Sequence, residues 1–300
     1  MKRKTFIQNL AALSAGATVG FPLKSYPRNK TVFKMGYQLF SVREDMAKDP
    51  KTTLKTLAGW GYEDFETYGF DPETHEIYGL PVADFQKLLA DLGLSTTSGH
   101  YGFSDYFDAP IDRLDWFVDQ CIFGADQMKA PYITWPWVAP EKRNAEGFRQ
   151  LADKLNRIGE RIQKAGLGFA YHNHGYEFEN WGGTTGHEIL MERTDPNRVK
   201  LQMDMYWVIH SGKTPRALVD QQPGRYVMWH IKDMDKITRD YSELGQGSID
   251  YPNILPSPPK SGLEYLYIEQ GGNFAQSAMQ SASKSATYFK EYLQNLINLT

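Results

Sequence analysis

A closed (β/α)8 barrel of the α/β class is the architecture this sequence predicts, and three observations carry it. From residue 35 onward, apolar strand patterns and amphipathic helix patterns alternate with a repeat of about 30 residues, the length of one strand and its return helix. Eight such strands can be counted, with no compositional break between them after residue 34. Nearly every strand also ends in a polar or ionisable residue, and the C-terminal strand ends are where barrels of this kind gather function. An open doubly wound sheet is less favoured, because no Gly-x-Gly-x-x-Gly follows the first strand.

In order, the first strand is read over 35–42 and its helix over 52–61. The second strand is 64–68, followed by a helix over 82–93 in which Phe85, Leu88, Leu89 and Leu92 recur at helical spacing before Gly93. Strand three is 95–100. Its helix, 111–123, lines up Leu114, Phe117, Val118 and Cys121. Strand four is 132–137, and a long helix over 144–165 stops at Gly166. Strand five opens the stretch 168–178, and a helix over 186–193 is closed by Asp195-Pro196. The sixth strand is 199–207 with a short helix at 215–220, and the seventh strand is 226–233. A seventh helix is expected near 251–260, although Pro252, Pro256, Pro258 and Pro259 oppose a regular run. Strand eight is 263–269, and an amphipathic helix over 275–297 ends the pattern.

Residues 1–30 stand apart. Lys2, Arg3 and Lys4 precede a weakly apolar Ala- and Gly-rich run from Leu10 to Phe21, the layout of a cleavable export signal and linker. The run is too short for a mature membrane span. The order Arg3-Lys4-Thr5-Phe6-Ile7 resembles a twin-arginine signal, with Lys4 where the second arginine is expected. The expectation is therefore an exported, periplasmic barrel over residues 31–300, delivered by a twin-arginine-like or general secretory signal and not membrane-bound once the signal is removed.

Six basic residues and no acidic ones lie in that segment; removing them from the whole-chain charge of −3 leaves −9 for residues 31–300. Nucleic acid is a poor partner for such a surface. Cys121 is the single cysteine, so no disulfide forms within the chain. The aromatic share is 14%. Trp135, Trp137, Trp181, Trp207 and Trp229 fall at or near strand ends, where flat rings suit the C–H faces of a sugar; ordinary packing accounts for about half of them. The composition is compatible with a homo-oligomer.

The strand ends supply Gln38, Glu66, His100, Trp135, His172, His174, Asp204, His230, Lys232 and Glu269. Alternate residues of a strand share a face, so His172 and His174 point the same way, with Glu177 just beyond. Buried imidazoles and carboxylates facing one another are costly unless a cation pairs them. His172, Asp204, His230 and Glu269 form a mixed nitrogen and oxygen set suited to manganese, zinc, iron or cobalt more than to calcium. Singly, each also reads as a loop cap or a satisfied core group; their placement on four successive strand ends is what favours one metal site. Lys232 shares the inward face of His230 and can neutralise a developing oxyanion, or instead pair with Asp233 or Glu66. His100 can contact substrate or orient a ligand, as can Glu66. His75, His187 and His210 read as structural or surface residues.

Several pieces together resemble the sugar phosphate isomerase/epimerase group of the xylose-isomerase-like TIM barrels, across nearly all of residues 33–298. They are Gly36-Tyr37-Gln38-Leu39-Phe40-Ser41-Val42-Arg43, Gly61-Tyr62-Glu63-Asp64-Phe65-Glu66, Tyr171-His172-Asn173-His174, Gln202-Met203-Asp204-Met205-Tyr206-Trp207, His230-Ile231-Lys232-Asp233, Gly245-Gln246-Gly247 and Ile268-Glu269. The group includes ketose epimerases, inosose dehydratases and, more distantly, abasic-site endonucleases. The resemblance implies one divalent ion, manganese first with zinc or cobalt as the other choices, held by a Glu, Asp, His, Glu set on strands five to eight. Asp204, His230 and Glu269 match the last three; His172 stands at the first, and Glu177 is the nearest carboxylate.

In the epimerase scheme, two metal-bound glutamates exchange a proton on opposite faces of a carbon beside a carbonyl. The resulting expectation is a metal-dependent isomerase or epimerase acting on an unphosphorylated keto sugar or glycoside, with Glu269 or Glu177 as base and His174 and Lys232 assisting. Gln38, Glu66, His100, Trp135 and Trp207 are expected to bind substrate. With histidine at the first ligand position, a lyase or dehydratase working by β-elimination on a keto-glycoside or inosose stands beside it, as does a sugar-binding barrel with weak catalysis. An endonuclease would require further histidines and a basic face. No glycine-rich phosphate cradle or arginine cluster accompanies strand eight, which is why the sugar is expected to be unphosphorylated.

Overall fold

The computed structural model describes residues 32–299; the expected export signal at 1–30 lies outside the described residues. Eight parallel strands close on themselves: β1 (Gly36–Gln38), β2 (Asp64–Tyr68), β3 (Ser95–His100), β4 (Tyr132–Trp135), β5 (Gly168–His172), β6 (Lys200–Asp204), β7 (Tyr226–Ile231) and β8 (Tyr265–Ile268). Each strand pairs with its sequence neighbours, and β8 returns to β1 through Gly36↔Tyr267 and Tyr37↔Ile268. Closure needs a glycine at that seam, since a Cβ on Gly36 would lie 2.1 Å from the Leu266 carbonyl oxygen. The fold is the (β/α)8 barrel that the strand count and spacing predict.

β1 and β6 end earlier than their apolar patterns do, because local hydrogen bonds terminate them. On β1 the Gln38 side chain accepts from the Phe40 amide at 3.0 Å, and a 3-10 turn over Leu39–Val42 takes over. On β6 the Asp204 carboxylate accepts from the Trp207 amide at 3.2 Å and caps a short helix, Met205–His210, where the pattern alone predicts continued strand. The expected seventh helix breaks at its prolines into two four-residue turns, Tyr251–Ile254 and Pro258–Ser261. Beyond β7 the chain forms a small ribbon in which Asp233–Met234 pairs antiparallel with Tyr241–Ser242.

The longest helix is Ala145–Lys164. Asn144 caps it by accepting from the Gly147 amide at 2.9 Å, and it buries Phe148, Leu151, Leu155, Ile158 and Ile162 as one stripe against the barrel. Cys121 is buried in the stripe of Ile111–Met128 with a thiol pushed up by burial, so it serves as packing. Ala278–Tyr288 continues through a π-helical turn, Phe289–Leu293, into Gln294–Leu299. No helix among the described residues is long and apolar enough to cross a membrane.

Inside the barrel the N-terminal end is plugged by Tyr132, Ala170, Met228 and Tyr267. Above that plug the inward positions turn polar: Gln38, Glu66, Ser98, Gln202, Asp204 and His230 are each fully buried. The apolar plug and the ring of helices thus present a set of charged groups at the C-terminal mouth.

Candidate metal centre

Strand alternation explains which side chains meet. Gln202 and Asp204 on β6 point inward, as do Met228, His230 and then Lys232 along β7, and Tyr267 with Glu269 along β8. His172 ends β5 on the same side. The ligating atoms of His172, Asp204, His230 and Glu269 all lie within 4.8 Å of one another, and all four residues are buried.

Two of those atoms identify what the cluster is built to hold. His172 Nδ1 lies 3.2 Å from the Pro136 carbonyl oxygen, which places the ring proton on Nδ1 and leaves the Nε2 lone pair pointing inward. Nε2 is 3.3 Å from Asp204 Oδ2, and neither atom has a hydrogen-bond partner. Burial pushes the His172 imidazole down to about 4, so it is neutral at physiological pH. Lys232 reaches this carboxylate but no donor among the described residues reaches the histidine lone pair, an arrangement that a shared cation would complete.

His230 is gripped at both nitrogens, with Nδ1 2.6 Å from Glu269 Oε2 and Nε2 2.5 Å from Glu66 Oε2. Burial alone would lower it, but the two carboxylates outweigh burial and raise it to about 9. Lys232 Nζ sits 2.7 Å from both Asp204 Oδ2 and Glu269 Oε2, as an ion pair rather than an aligned hydrogen bond at Asp204. The lysine therefore pairs with neither Asp233 nor Glu66. Asp233 instead accepts from the amides of Gly245, Gly247 and Ile249 at 2.8, 3.1 and 3.1 Å, anchoring the Gly245-Gln246-Gly247 loop. Gly247 is required there, because a Cβ would lie 2.1 Å from the Asp233 carboxylate.

Among these five ionisable groups, Glu66, Asp204 and Glu269 bring three negative charges against the two positive charges of His230 and Lys232. A divalent ion binding as His230 gives up its proton brings the set to neutrality. Mixed nitrogen and carboxylate donors, an outward-tied histidine and matching charge all fit one divalent transition ion.

Glu66 lies one layer below. Its Oε1 accepts from Ser98 and Gln202, both at 2.6 Å, and its Oε2 from Gln38 at 2.7 Å besides His230. His100 Nε2 is 2.7 Å from Gln202 Oε1 and 3.1 Å from Glu66 Oε2. Gln38 and Glu66, expected at the substrate, are thus 0% exposed and support the cluster from beneath. Gln202 and Ser98 are not singled out by residue type alone; each stands two residues before a strand-end group, Asp204 and His100, and so shares its inward face.

Above the cluster opens a cleft of about 1000 Å³ whose walls include His100, Trp137, His172, His174, Lys232, Tyr241 and Glu269. His174 faces it, with Nδ1 3.3 Å from the Tyr176 hydroxyl and the imidazole held well below its usual range, chiefly by burial. Glu177 does not reach this space. It is 1% exposed and accepts from the Tyr171 hydroxyl at 2.5 Å and the His174 amide at 2.8 Å. Burial raises its carboxyl to about 7. Trp135 also lies elsewhere than the substrate space: it is 0% exposed, stacks on Phe103 at 5.1 Å and donates its indole N–H to the Trp137 carbonyl at 2.6 Å. Trp207 stands beside His174, ring to ring at 5.7 Å. Of the other histidines, His75 bonds Gln120 at 2.7 Å and His187 bonds the Tyr226 hydroxyl at 3.0 Å, both away from the cluster.

The sequence matches the xylose isomerase-like TIM barrel family over residues 54–257, the stretch holding β2 through β7. The chain belongs to that family. Among relatives of this xylose isomerase-like barrel, an inosose dehydratase of Clostridium beijerinckii is 27% identical over 169 residues, covering 49% of this chain and 55% of the relative. The matched stretch thus spans little more than half the length of that relative. A sugar phosphate isomerase/epimerase from Parabacteroides distasonis superposes with a TM-score of 0.77 at 25% identity, over 89% of this chain and 97% of that one. A structure described as the IOLI protein with a bound zinc atom superposes at a TM-score of 0.65 and 15% identity, over 87% of this chain and 100% of that one, a likeness of fold.

Proposed function

We propose that this xylose isomerase-like barrel is a divalent-metal-dependent lyase that removes a proton beside the carbonyl of an unphosphorylated keto sugar, keto-glycoside or inosose and expels the substituent one carbon further on. The observation that carries it is the identity of the groups around the cluster. Symmetrical epimerisation uses a metal-bound carboxylate on each face of the carbon; here the β5 ligand position is His172, and Glu177, the carboxylate that follows it in sequence, is buried in bonds to Tyr171 and His174. Glu269 is then the one cluster carboxylate that also lines the cleft. The inosose dehydratases among the relatives are eliminating enzymes by name, which agrees with this choice.

A bound divalent ion would be held by His172, Asp204, His230 and Glu269, and would supply Lewis-acid polarisation of the substrate carbonyl. The chain's own residues do the rest. Glu269 takes the proton from the carbon beside the carbonyl. Lys232, 4% exposed and already paired with two carboxylates, keeps its ammonium charged and offsets the negative charge that grows on oxygen. His174, on the cleft wall, hydrogen-bonds the departing oxygen. The C–H bond at one carbon and the C–O bond at the next are broken, a C=C bond conjugated to the carbonyl forms, and the proton lost by carbon is regained, by way of solvent, by the leaving water or alcohol. We carry into the same proposal that residues 1–30 direct export, which places the enzyme where unphosphorylated sugars and glycosides are met.

The test is to incubate the manganese-loaded protein with keto sugars, keto-glycosides and inososes in deuterated water and follow products by NMR and mass. The expected product lacks the leaving group and absorbs as a conjugated ketone. An epimer of unchanged skeleton carrying deuterium at the inverted carbon would replace the lyase reading with the epimerase one. No exchange and no elimination in any substrate would remove proton abstraction altogether.

A further inference from the structure

Beside the main cleft lies a second hollow of about 610 Å³, and the two share Trp137 and His174 as common wall. Rings of Trp137, Tyr176, Phe178 and Trp207 contribute to its walls beside the charged Arg143 and Glu179. Tyr176 stacks on His174 at 5.2 Å with planes 11° apart, and Trp207 stands on the other side of His174. The Arg143 guanidinium lies 3.9 Å from the Tyr176 ring centre and 5.3 Å from that of Trp137, holding these rings in place. Trp137 is 41% exposed and lines both hollows. The Trp207 indole nitrogen is buried and has no hydrogen-bond partner.

We propose that this hollow receives the O-linked substituent of the substrate, so that the physiological substrate is a ketone-bearing ring attached through oxygen to a second ring, rather than a free monosaccharide or cyclitol. The inference rests on the reading under Proposed function and narrows its substrate class. The position of His174 ties the two hollows together. A sugar ring seated over Glu269 and Lys232 with its leaving oxygen at His174 places everything beyond that oxygen between Trp137, Tyr176 and Trp207. Elimination then breaks the bond between ring carbon and bridging oxygen, and the second ring departs as an alcohol or phenol with the proton that oxygen gains.

The experiment compares kcat/KM of the manganese-loaded protein for keto-glycosides differing only in the group beyond the bridging oxygen: methyl, benzyl and glucosyl, the benzyl and methyl alcohols being leaving groups of similar basicity. The benzyl or the glucosyl compound is expected to exceed the methyl one at least tenfold, and which of the two leads tells an aromatic from a sugar occupant. Trp207→Ala, and separately Trp137→Ala, are expected to reduce the large-to-small ratio at least tenfold. Damage to the fold lowers all three substrates together and leaves the ratio where it was. Equal kcat/KM across the three in the wild-type protein, or a ratio unmoved in both variants, overturns the inference. If no keto-glycoside reacts while an inosose or a free keto sugar is eliminated, this inference is overturned and the lyase reading stands; if nothing in any of the three classes reacts, the lyase reading fails by itself. The second hollow is then decided by binding, with tryptophan fluorescence expected to report phenyl β-glucoside at least tenfold tighter than methyl β-glucoside and equal affinities overturning the proposal.

Discussion

His172 Nε2 and Asp204 Oδ2 face each other at 3.3 Å in a buried site, and neither is hydrogen-bonded. Lys232 Nζ supplies a positive charge to Asp204 at 2.7 Å but nothing among the described residues supplies one to the His172 lone pair, and the Pro136 carbonyl holds the imidazole proton outward. One divalent ion per chain is therefore expected by elemental analysis after loading with manganese, zinc or cobalt. Asp204→Asn is expected to lose it, and a variant that retains stoichiometric metal would move the site elsewhere.

Glu66 would act on a bound ion through His230. Gln38, Ser98, Gln202 and His230 all donate to its two oxygens, and His100 Nε2, bonded to Gln202 Oε1, lies 3.1 Å from one of them. Glu66→Gln turns an amide N–H toward one side of this donor set and removes the negative charge that pairs with His230. Metal affinity is expected to fall by about 10–100-fold, read by competition with a chelating dye. Affinity within twofold of wild type would show that His230 needs no such support.

Lys232 bridges Asp204 and Glu269 at 2.7 Å each, so removing its charge leaves two buried carboxylates side by side. Lys232→Met is expected to cost about 3–5 kcal/mol in denaturant unfolding with chelator present. Saturating metal restores a positive charge to the same pair and is expected to recover at least half of that loss. An equal loss with and without metal would mean that the lysine and the ion do not serve the same carboxylates.

Glu177 sets a pH dependence of stability. Burial raises its carboxyl from the usual range to about 7. The folded state therefore holds a proton that the unfolded state has lost, and the stabilisation is complete below the unfolded value near 4.5 and lost as pH rises through about 7. The full change amounts to about 3 kcal/mol. Unfolding free energies of wild type minus Glu177→Gln should decline between pH 5 and 8; a flat difference would place the charged carboxylate in the folded protein at all these values.

Trp135 stacks on Phe103 with no access to the cleft. Trp135→Ala is expected to lower stability by about 3–5 kcal/mol while leaving kcat/KM of the folded protein within about threefold of wild type. A selective loss of activity with stability intact would return this ring to the substrate.

The division between what was legible in the chain and what was not follows from the range of the forces involved. Strand and helix periods depend on neighbours a few residues away, so β2, β3 and the helix Gly186–Arg193 are read with the bounds the structure has. Strand ends set by side-chain bonds, as at Gln38 and Asp204, and the proline break near Pro256 shift or divide the simple pattern. Alternation also places His172, Asp204, His230 and Glu269 at one mouth, since closing eight parallel strands in order leaves all their C-terminal ends on one side. Which neighbour each group then touches is settled by distances across the barrel, between residues far apart in the chain. Lys232 reaching Asp204 and Glu269 in place of Asp233, Glu177 turning to Tyr171, Trp135 sinking onto Phe103 and Glu66 binding His230 all arise this way. Local periodicity has no access to such pairings, because a buried charge takes the partner that barrel closure brings within about 3 Å, and closure is a property of all eight strands at once.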